Sequence, residues 1–459
     1  MTIVEHAAGV VELYDFTQGA WMTAVMLDES NILSASTRRQ CCADGAFEIG
    51  GAYCATLSMT CRLPGLTRFQ IRGARITLRR WFDGEALTGA NAPLEGVFYV
   101  TDARKTADVF TLSGQDAMGW ADTSSYNELS DAAAQGMAHL IAPDGATGDL
   151  QLLAGYGNVD VGGYIYGITK LVNTLGAAQT GIPGLVSWED YDTAANGDYC
   201  NQWIYAKDGQ GGWYKTAYTE TFSAYDGSGA ANTDSPRDYY RWIAQLAGGF
   251  ITAKRNGALT LRQFRQPDLG TAIIHAADME RDKCEIADYT LQLYRVSVVP
   301  EAEGVTGLSI YTNPDYAHRV PIRYLIESNP LLDGFCKRWI ADEGSVPDAW
   351  TIAHNLWYSF YYYHGDDELA PRPFRVSVHT TDRYELGQRI RFPDWQEIGD
   401  TQTQDLSSVI TGIVWTFRGG TVLSCGGEDS RVMADCIRAT KADKAIRELR
   451  GRYRALSGR

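Results

Sequence analysis

The sequence predicts an α+β protein that is mainly β. Antiparallel strands forming a barrel or small sandwich are interrupted by mixed α/β modules, and a short helix ends the chain. Three observations lead there. Period-two alternation of apolar and polar residues dominates the first quarter and returns ahead of the C-terminus. Helical signals are confined to the middle and the last residues. The composition is that of an ordinary globular protein, with 45% hydrophobic and 21% charged residues, and with Tyr (26) and Gly (47) far outnumbering Pro (14). A chain of 459 residues exceeds one ordinary core, so about two to four domains are expected.

The strands follow in order. In "CATLSMTCRL", Ala55, Leu57, Met59, Cys61 and Leu63 alternate with Cys54, Thr56, Ser58, Thr60 and Arg62, the pattern of a strand with one buried face. "GARITLRRWF" places Ala74, Ile76, Leu78 and Phe82 on one face, with Arg75, Thr77 and Arg79 on the other. "EGVFYVTDARKTADVFTLSGQD" reads as two strands around a polar turn at Asp102 to Asp108. Meandering strands of this length suit a barrel or sandwich. "ELSDAAAQGMAHLI" fits a short helix, and Gly-rich irregular chain follows through "AYDGSGAANTDS". "SPRDYYRWIAQLAGGF" reads as a helix with Ser235 as N-cap, Pro236 in its first turn and Gly248-Gly249 at its end. "FITAKRNGALTLRQF" is a hairpin around Asn-Gly. "YTLQLYRVSVVPE" returns to alternation, and helices are expected in "NPLLDGFCKRWIADE" and "AWTIAHNLWYSFYYY". "RPFRVSVHTTDRYELGQRIRFPD" and "LSSVITGIVWTFRGGTVLSCGG" are again strands with tight turns. The order β, mixed, β fits a β domain interrupted by insertions.

The C-terminal segment differs. Ala439, Ala442, Ile446, Leu449, Tyr453 and Leu456 recur at alternating spacings of three and four, a coiled-coil seam. From Cys436 onward six Arg and two Lys stand against Asp443 and Glu448, a net of +6 that leaves −21 on the rest of a chain whose total is −15. So acidic a body disfavours tight binding of DNA or anionic lipid by the bulk surface. No run approaches the roughly 18 apolar residues of a membrane span. The N-terminus carries acids where a secretion signal carries Lys or Arg, so synthesis in the cytoplasm is expected.

No catalytic, cofactor or metal residues are assigned. HExxH, GxSxG, P-loop and dinucleotide patterns are absent. The nine cysteines include no CxxC, which points to reduced, mostly buried thiols. His354, His364 and His379 lie near Asp366, Asp367 and Glu368, but at no ligand spacing. "DGSGAANTD" lacks the EF-hand register. Acid pairs such as Glu189-Asp190, with the many Trp and Tyr, would suit glycoside hydrolysis or wall-polymer binding, the alternative reading. Turn acids and core aromatics are the commoner explanation.

"STRRQCCADGAFEIGGAY" poses the sharpest choice between thiol chemistry and structure. Cys54 and Cys61 are seven apart and fall on opposite strand faces. No base accompanies Cys41 and Cys42, so Arg38 and Arg39 activate nothing obvious. Ser36 to Gly45 is expected as a loop at a subunit contact, with Phe47 to Tyr53 leading into a core strand.

"SASTRRQCCADGAFEIGGAYCATLSMT" resembles the start of the tail hub proteins of bacteriophages and of phage-derived tails of Gram-positive bacteria. "APLEGVFYVTDARKTADVFTLSGQDAMGWAD" is similar to that family's next block, and "SPRDYYRWIAQLAGGFITAKRNGALTLRQF" to its helix-Gly-hairpin module. "IESNPLL", "YELGQRIRF" and "ITGIVWTFRGGTVLSCGG" complete the order. Gln388 stands where many relatives have Asp, so no carboxylate role carries over there. The motifs span most of 30–430. The resemblance implies two tube-like antiparallel β-barrels, 1–125 and 286–300 with 375–435. Mixed insertions would occupy 126–285 and 301–374, and a basic helix 436–459. It implies a non-enzymatic homotrimeric hub at the tail tip that adapts a sixfold tube to a threefold tip and lets DNA pass. The −21 on the body of the chain suits an acidic channel wall along which DNA slides. Its expected partners are the tail tube or distal tail protein, the tape measure protein, and a spike, fibre or receptor-binding tip protein. Arg38, Arg39, Phe47, Ile49 and the seam Ala439, Ala442, Ile446, Leu449, Tyr453 and Leu456 are the expected interface residues.

Overall fold

The computed structural model describes residues 4–122 (apart from 16, 19, 44 and 45), 149–150, 216–217, 237, 241, 244–245, 248–264, 269–299, 308–311, 319–327, 329, 370–396 and 402–427. The strands of the first quarter are β1 (Glu5–Asp15), β2 (Ala20–Leu27), β3 (Ile32–Gln40), the short β4 (Gly51–Ala52), β5 (Thr56–Arg62), β6 (Arg75–Phe82), β7 (Leu94–Thr106) and β8 (Val109–Gln115). One helical turn, α1 (Arg68–Ile71), precedes β6 and starts with a reciprocal capping box between Thr67 and Gln70.

In the middle, β9 (Asp149–Leu150) pairs with β10 (Thr216–Ala217), and β11 (Gly249–Ala253) forms a hairpin with β12 (Leu259–Gln263). The later strands are β13 (Thr271–Ile273), β14 (Glu285–Ile286), β15 (Thr290–Val299), β16 (Leu308–Tyr311), β17 (Arg319–Glu327), β18 (Phe374–Val378), β19 (Arg389–Trp395), β20 (Gln404–Val409), β21 (Gly412–Thr416) and β22 (Gly420–Cys425). The protein is thus mainly β with little helix among the described residues.

The alternation read from the sequence sets the faces. In β5, Leu57, Met59 and Cys61 are at most 2% exposed, while Thr56, Ser58 and Arg62 face out. These inward residues join Ile76 and Leu78 of β6, Phe98 of β7 and Phe110 of β8 in one core. Trp415 and Phe417, near the other end of the chain, lie in that same core. The reason is a single antiparallel sheet ordered β14-β18-β22-β21-β3-β5-β8-β7-β6-β1-β2. Within it β3 pairs with β21 on one side and β5 on the other, so strands from the two expected barrel segments share one sheet. Three smaller sheets, β12-β11-β4, β13-β19-β20 and β16-β15-β17, each include one parallel pair.

Two expected loops are strand. Ser36 to Gln40 belongs to β3, because its backbone is hydrogen-bonded on both sides. The turn expected across Asp102 to Asp108 shrinks to Ala107-Asp108, with Thr106 opposite Val109. The Asn-Gly hairpin forms as expected, though with a wider turn: Lys254 N bonds Ala258 O, and Gly257 sits at φ +89. Gly248 bonds back to Gln245 in a left-handed conformation, as a helix-ending glycine does. Ser235 and the helices expected at 128–141, 329–343 and 349–363 lie outside the described residues, except that Asn329 is buried. No described helix is long and apolar enough to cross a membrane.

The sheet curls until β1 meets the β21–β22 turn, and Glu5 fastens the two. Its Oε1 accepts from Trp415 Nε1 at 2.6 Å and its Oε2 from the Arg418 amide at 2.6 Å. Arg418 is held at φ +61, which is costly for a residue with a side chain. Glu29 of the β2–β3 turn pairs with the Arg418 guanidinium at 2.9 Å, and His6 bridges Glu29 and Asp83 along the same rim. Replacing Glu5 with Gln keeps the shape but removes the charge-assisted bonds. It is expected to cost about 1.5–3 kcal/mol in urea unfolding. Ala107 sits at φ +52, so Ala107→Gly is expected to raise stability by about 1 kcal/mol in the same assay.

Candidate assembly surface and the buried ion-pair junction

A bulge creates the most unusual site. Leu78 pairs with Gly96 and Arg79 with Leu94, which leaves Glu95 as the extra residue of β7. The bulge turns its side chain into the interior, where the residue is 1% exposed. Thr37 donates to Glu95 Oε1 at 3.0 Å, Arg255 Nη1 donates to Oε2 at 2.7 Å, and Arg80 Nε lies 3.0 Å from Oε2. Arg39 donates to the Glu95 carbonyl. Arg80 falls on the inward parity of β6, behind Ile76 and Leu78, and is 2% exposed between the Trp415 and Phe82 rings. Its Nη1 is also 3.6 Å from Glu5.

Arg255, in the β11–β12 turn, extends the network. Its Nε bonds Glu385 Oε1 at 2.7 Å and its Nη2 bonds the Tyr384 carbonyl at 2.7 Å. Gly257 lets that turn seat on Val97, where an added Cβ would lie 3.1 Å from the valine side chain. Arg262 adds a contact of 3.3 Å to Glu385 Oε2. Three guanidiniums, of Arg80, Arg255 and Arg262, therefore meet the carboxylates of Glu5, Glu95 and Glu385, with Arg39 beside them on the Glu95 carbonyl. Burial pushes the Glu95 carboxyl up, but Arg255, Arg80 and Arg39 together outweigh it and hold it below the usual range. The same opposition, led on the attractive side by Arg255, brings Glu385 down to about 2. The junction ties β7, the β11–β12 turn and the β18–β19 connection, three segments far apart in sequence.

A second site is the edge of the large sheet that is free among the described residues. The strand β2, "AWMTAVML", ends the sheet order and has no charge and no proline. Its Met22 and Met26 are 47% and 57% exposed. Natural sheets normally guard such an edge with charge, proline or cover. At the far end of the β1–β2 hairpin, Trp21 packs against Tyr14 at 5.2 Å and Tyr99 at 5.9 Å. Arg75 lies 4.8 Å over the Trp21 ring and is bidentate to Glu12. Trp, Tyr and Arg on one face are the residues that most often carry binding energy.

The expected interface residues fall into three groups. Arg38 is exposed, with Nε on Gln40 Oε1 at 3.1 Å. Arg39 and Ile49 are 5% and 6% exposed within this one chain, and half-buried Phe47 packs at a tilt with its ring centre 4.8 Å from that of Phe264, just after β12. The seam residues Ala439, Ala442, Ile446, Leu449, Tyr453 and Leu456 lie outside the described residues. So do His354, His364, Asp366, Asp367, Glu368, Glu189, Asp190 and the loop 226–234. His379 bonds Glu280. Among the described residues no group of His, Cys, Asp and Glu is arranged to hold a metal.

The thiols of Cys41 and Cys42 are buried 4.0 Å apart, and burial raises the Cys41 pKa well above its ordinary value. Burial likewise pushes Cys61 and Cys425 up to about 12, which makes them poor nucleophiles. Gln388 has a structural use: its Oε1 accepts from the Glu385 amide at 3.1 Å while its Nε2 donates to the Leu269 carbonyl at 3.0 Å. An Asp lacks that donor. Sequence parity could have flagged Arg80, and Leu-Glu-Gly at a strand start could have flagged the Glu95 bulge.

Two tests follow from the junction. Glu95→Gln removes the buried anion that faces Arg80 and Arg255 and is expected to cost about 3–5 kcal/mol in equilibrium unfolding. Glu385, depressed from 4.5 to about 2, stabilises fully above its unfolded pKa and loses that contribution as pH falls through about 2. Melting temperatures of Glu385→Gln should therefore fall less steeply than those of the unmodified chain between about pH 4.5 and 2.

No family model and no curated protein matches the chain. Solved structures do. It is similar to a tail protein from Neisseria meningitidis MC58, at 12% identity and a TM-score of 0.40 over 92% of this chain and 97% of that one. A 43 kDa tail protein of prophage MuSo2 from Shewanella oneidensis gives 10% identity and a TM-score of 0.42 over 92% and 97%. The baseplate of phage P2 in its activated conformation with Ca gives 11% identity and a TM-score of 0.26 over 91% and 98%. These three solved structures are phage tail and baseplate proteins.

Proposed function

We propose that the chain is a structural, non-enzymatic subunit of a phage-type tail tip. It would assemble in the host cytoplasm into a homotrimeric hub ring that closes the tail tube and lets DNA pass. The ordered motifs from "STRRQCC" to "TVLSCGG" give the family reading. The observation that carries it to assembly is the uncharged free edge β2, which ends the large sheet. An eight-residue strand with one side unpaired among the described residues and two exposed methionines is suited to accept a strand from a neighbouring subunit. Around it, the hub would contact the tail tube or distal tail protein, the tape measure protein and a spike, fibre or receptor-binding protein. The basic seam at Ala439 to Leu456 would bundle the chains or hold an acidic partner.

Met22→Lys with Met26→Lys places charge on the open edge, whose side chains are already half in solvent. The variant is expected to melt within about 0.5 kcal/mol of the unmodified chain. It should nevertheless be missing from assembled tails by immunogold microscopy, with sedimentation showing monomer. Normal incorporation of this variant would remove β2 as the subunit contact.

A further inference from the structure

The outer face of β22, β21, β3, β5 and β8 is chemically unlike the rest of the chain. In the observed register Thr416, Ser36, Ser58 and Ser113 stand side by side in one row across four strands. Ser34, Thr60 and Thr111 make the neighbouring row. Most of these hydroxyl residues are exposed. None of the outward positions on these five strands is Asp or Glu, although the chain holds 56 acids and a net charge of −15. The charges the face does carry are guanidiniums. Arg38 stands in the register of Thr56, at one end of β5, and Arg62 ends the same strand. At about 3.4 Å per residue those positions are roughly 20 Å apart along the strand.

We propose that this acid-free hydroxyl face is the surface over which the nucleic acid travels, an inference that rests on the tail-tip reading. Charge complementarity selects the occupant. The next strand, β7, sets the exposed Asp102 opposite Ser113, with Arg104 3.7 Å away to offset it. On a strongly acidic molecule, five adjacent strands with no outward carboxylate and a guanidinium toward each end form a face that a polyphosphate can approach with little repulsion. The hydroxyls between are neutral and add no further charge to hold it. Ser36 Oγ donates to the Trp415 carbonyl at 3.0 Å, so its proton is committed to the sheet and its lone pairs face outward. At Ser36 a phosphate oxygen therefore meets the surface through water instead of by a direct bond. DNA carries one charge per about 1.7 Å of axis, so a few widely spaced cations hold it near without a deep minimum. The expected acidic wall is replaced on this face by a neutral one with sparse positive charge.

The experiment is made in assembled particles. Ser58→Lys with Ser113→Lys puts two ammonium groups in the hydroxyl row, and Ser58→Thr with Ser113→Thr is the matched control. Genome release by the Lys pair should be slowed by roughly tenfold or more at low salt and recover at high salt, as phosphate contacts do. Salt-independent release at the control rate, with the subunit present in the tails, overturns the inference and leaves the tail-tip reading standing. Absence of the unmodified chain from tails overturns both. Should the Lys pair fail to assemble, Ser58→Cys decides. In intact tails it should react with a small maleimide, above the background of the unmodified chain, and resist a maleimide carried on a bulky polymer. Labelling by the bulky reagent places the face outside the channel and rejects the proposal.

Discussion

The carboxylate of Glu95 is the constraint on which the arrangement of the chain depends. An anion this deeply buried is tolerable only while its counter-ions are in place. Those counter-ions come from elsewhere: Arg80 from β6, Arg39 from β3 and Arg255 from a turn far along the chain. Arg255 in turn is satisfied only if Glu385 and the Tyr384 carbonyl arrive from the β18–β19 connection. Removing any one segment leaves a buried charge short of one of its partners. The network therefore couples parts of the chain that hydrophobic contact alone would let slide, because apolar packing is non-directional and this hydrogen-bonding is not.

That coupling suits a component that must present several surfaces in fixed relation. The open edge of β2 and the hydroxyl face belong to the same sheet, so their mutual position is set by strand pairing. The sheet is held to the β11–β12 hairpin both by the ion pairs and by Phe47 packing on Phe264. A push on one surface is thus transmitted through hydrogen-bonded elements with few soft joints among the described residues.

Much of this fold was legible in the sequence where one rule governed locally. The alternation in "CATLSMTCRL" and "GARITLRRWF" placed Leu57, Met59, Ile76 and Leu78 correctly, because burial on one sheet face repeats every second residue. The Asn-Gly hairpin was equally local. What failed depended on distant partners. Ser36 to Gln40 looks like a polar loop because Ser, Thr and Arg dominate it, and only the pairing with β21 makes it a central strand. Arg39 and Arg80 obey the inward parity, yet their charge argues for solvent until Glu95 is placed. A bulge of one residue aims Glu95 inward, and one residue of register is invisible to periodicity. The free edge of β2 was hidden for the same reason, since strand order is not written in any one strand.

The bond between Glu5 and Trp415 joins the first strand of the sheet to nearly its last. During synthesis, β1 to β8 leave the ribosome long before β21. At about 5–20 residues per second, the intervening stretch takes roughly 15–60 s to emerge. Through that interval the nascent sheet has its inner face formed by Leu57, Ile76 and Phe98 but lacks the indole that covers it. The chain is therefore exposed to wrong strand partners on both sides, at the still unpaired flank of β3 and at β2. Closure late in translation makes chaperone capture, or very dilute expression, a natural requirement for producing it.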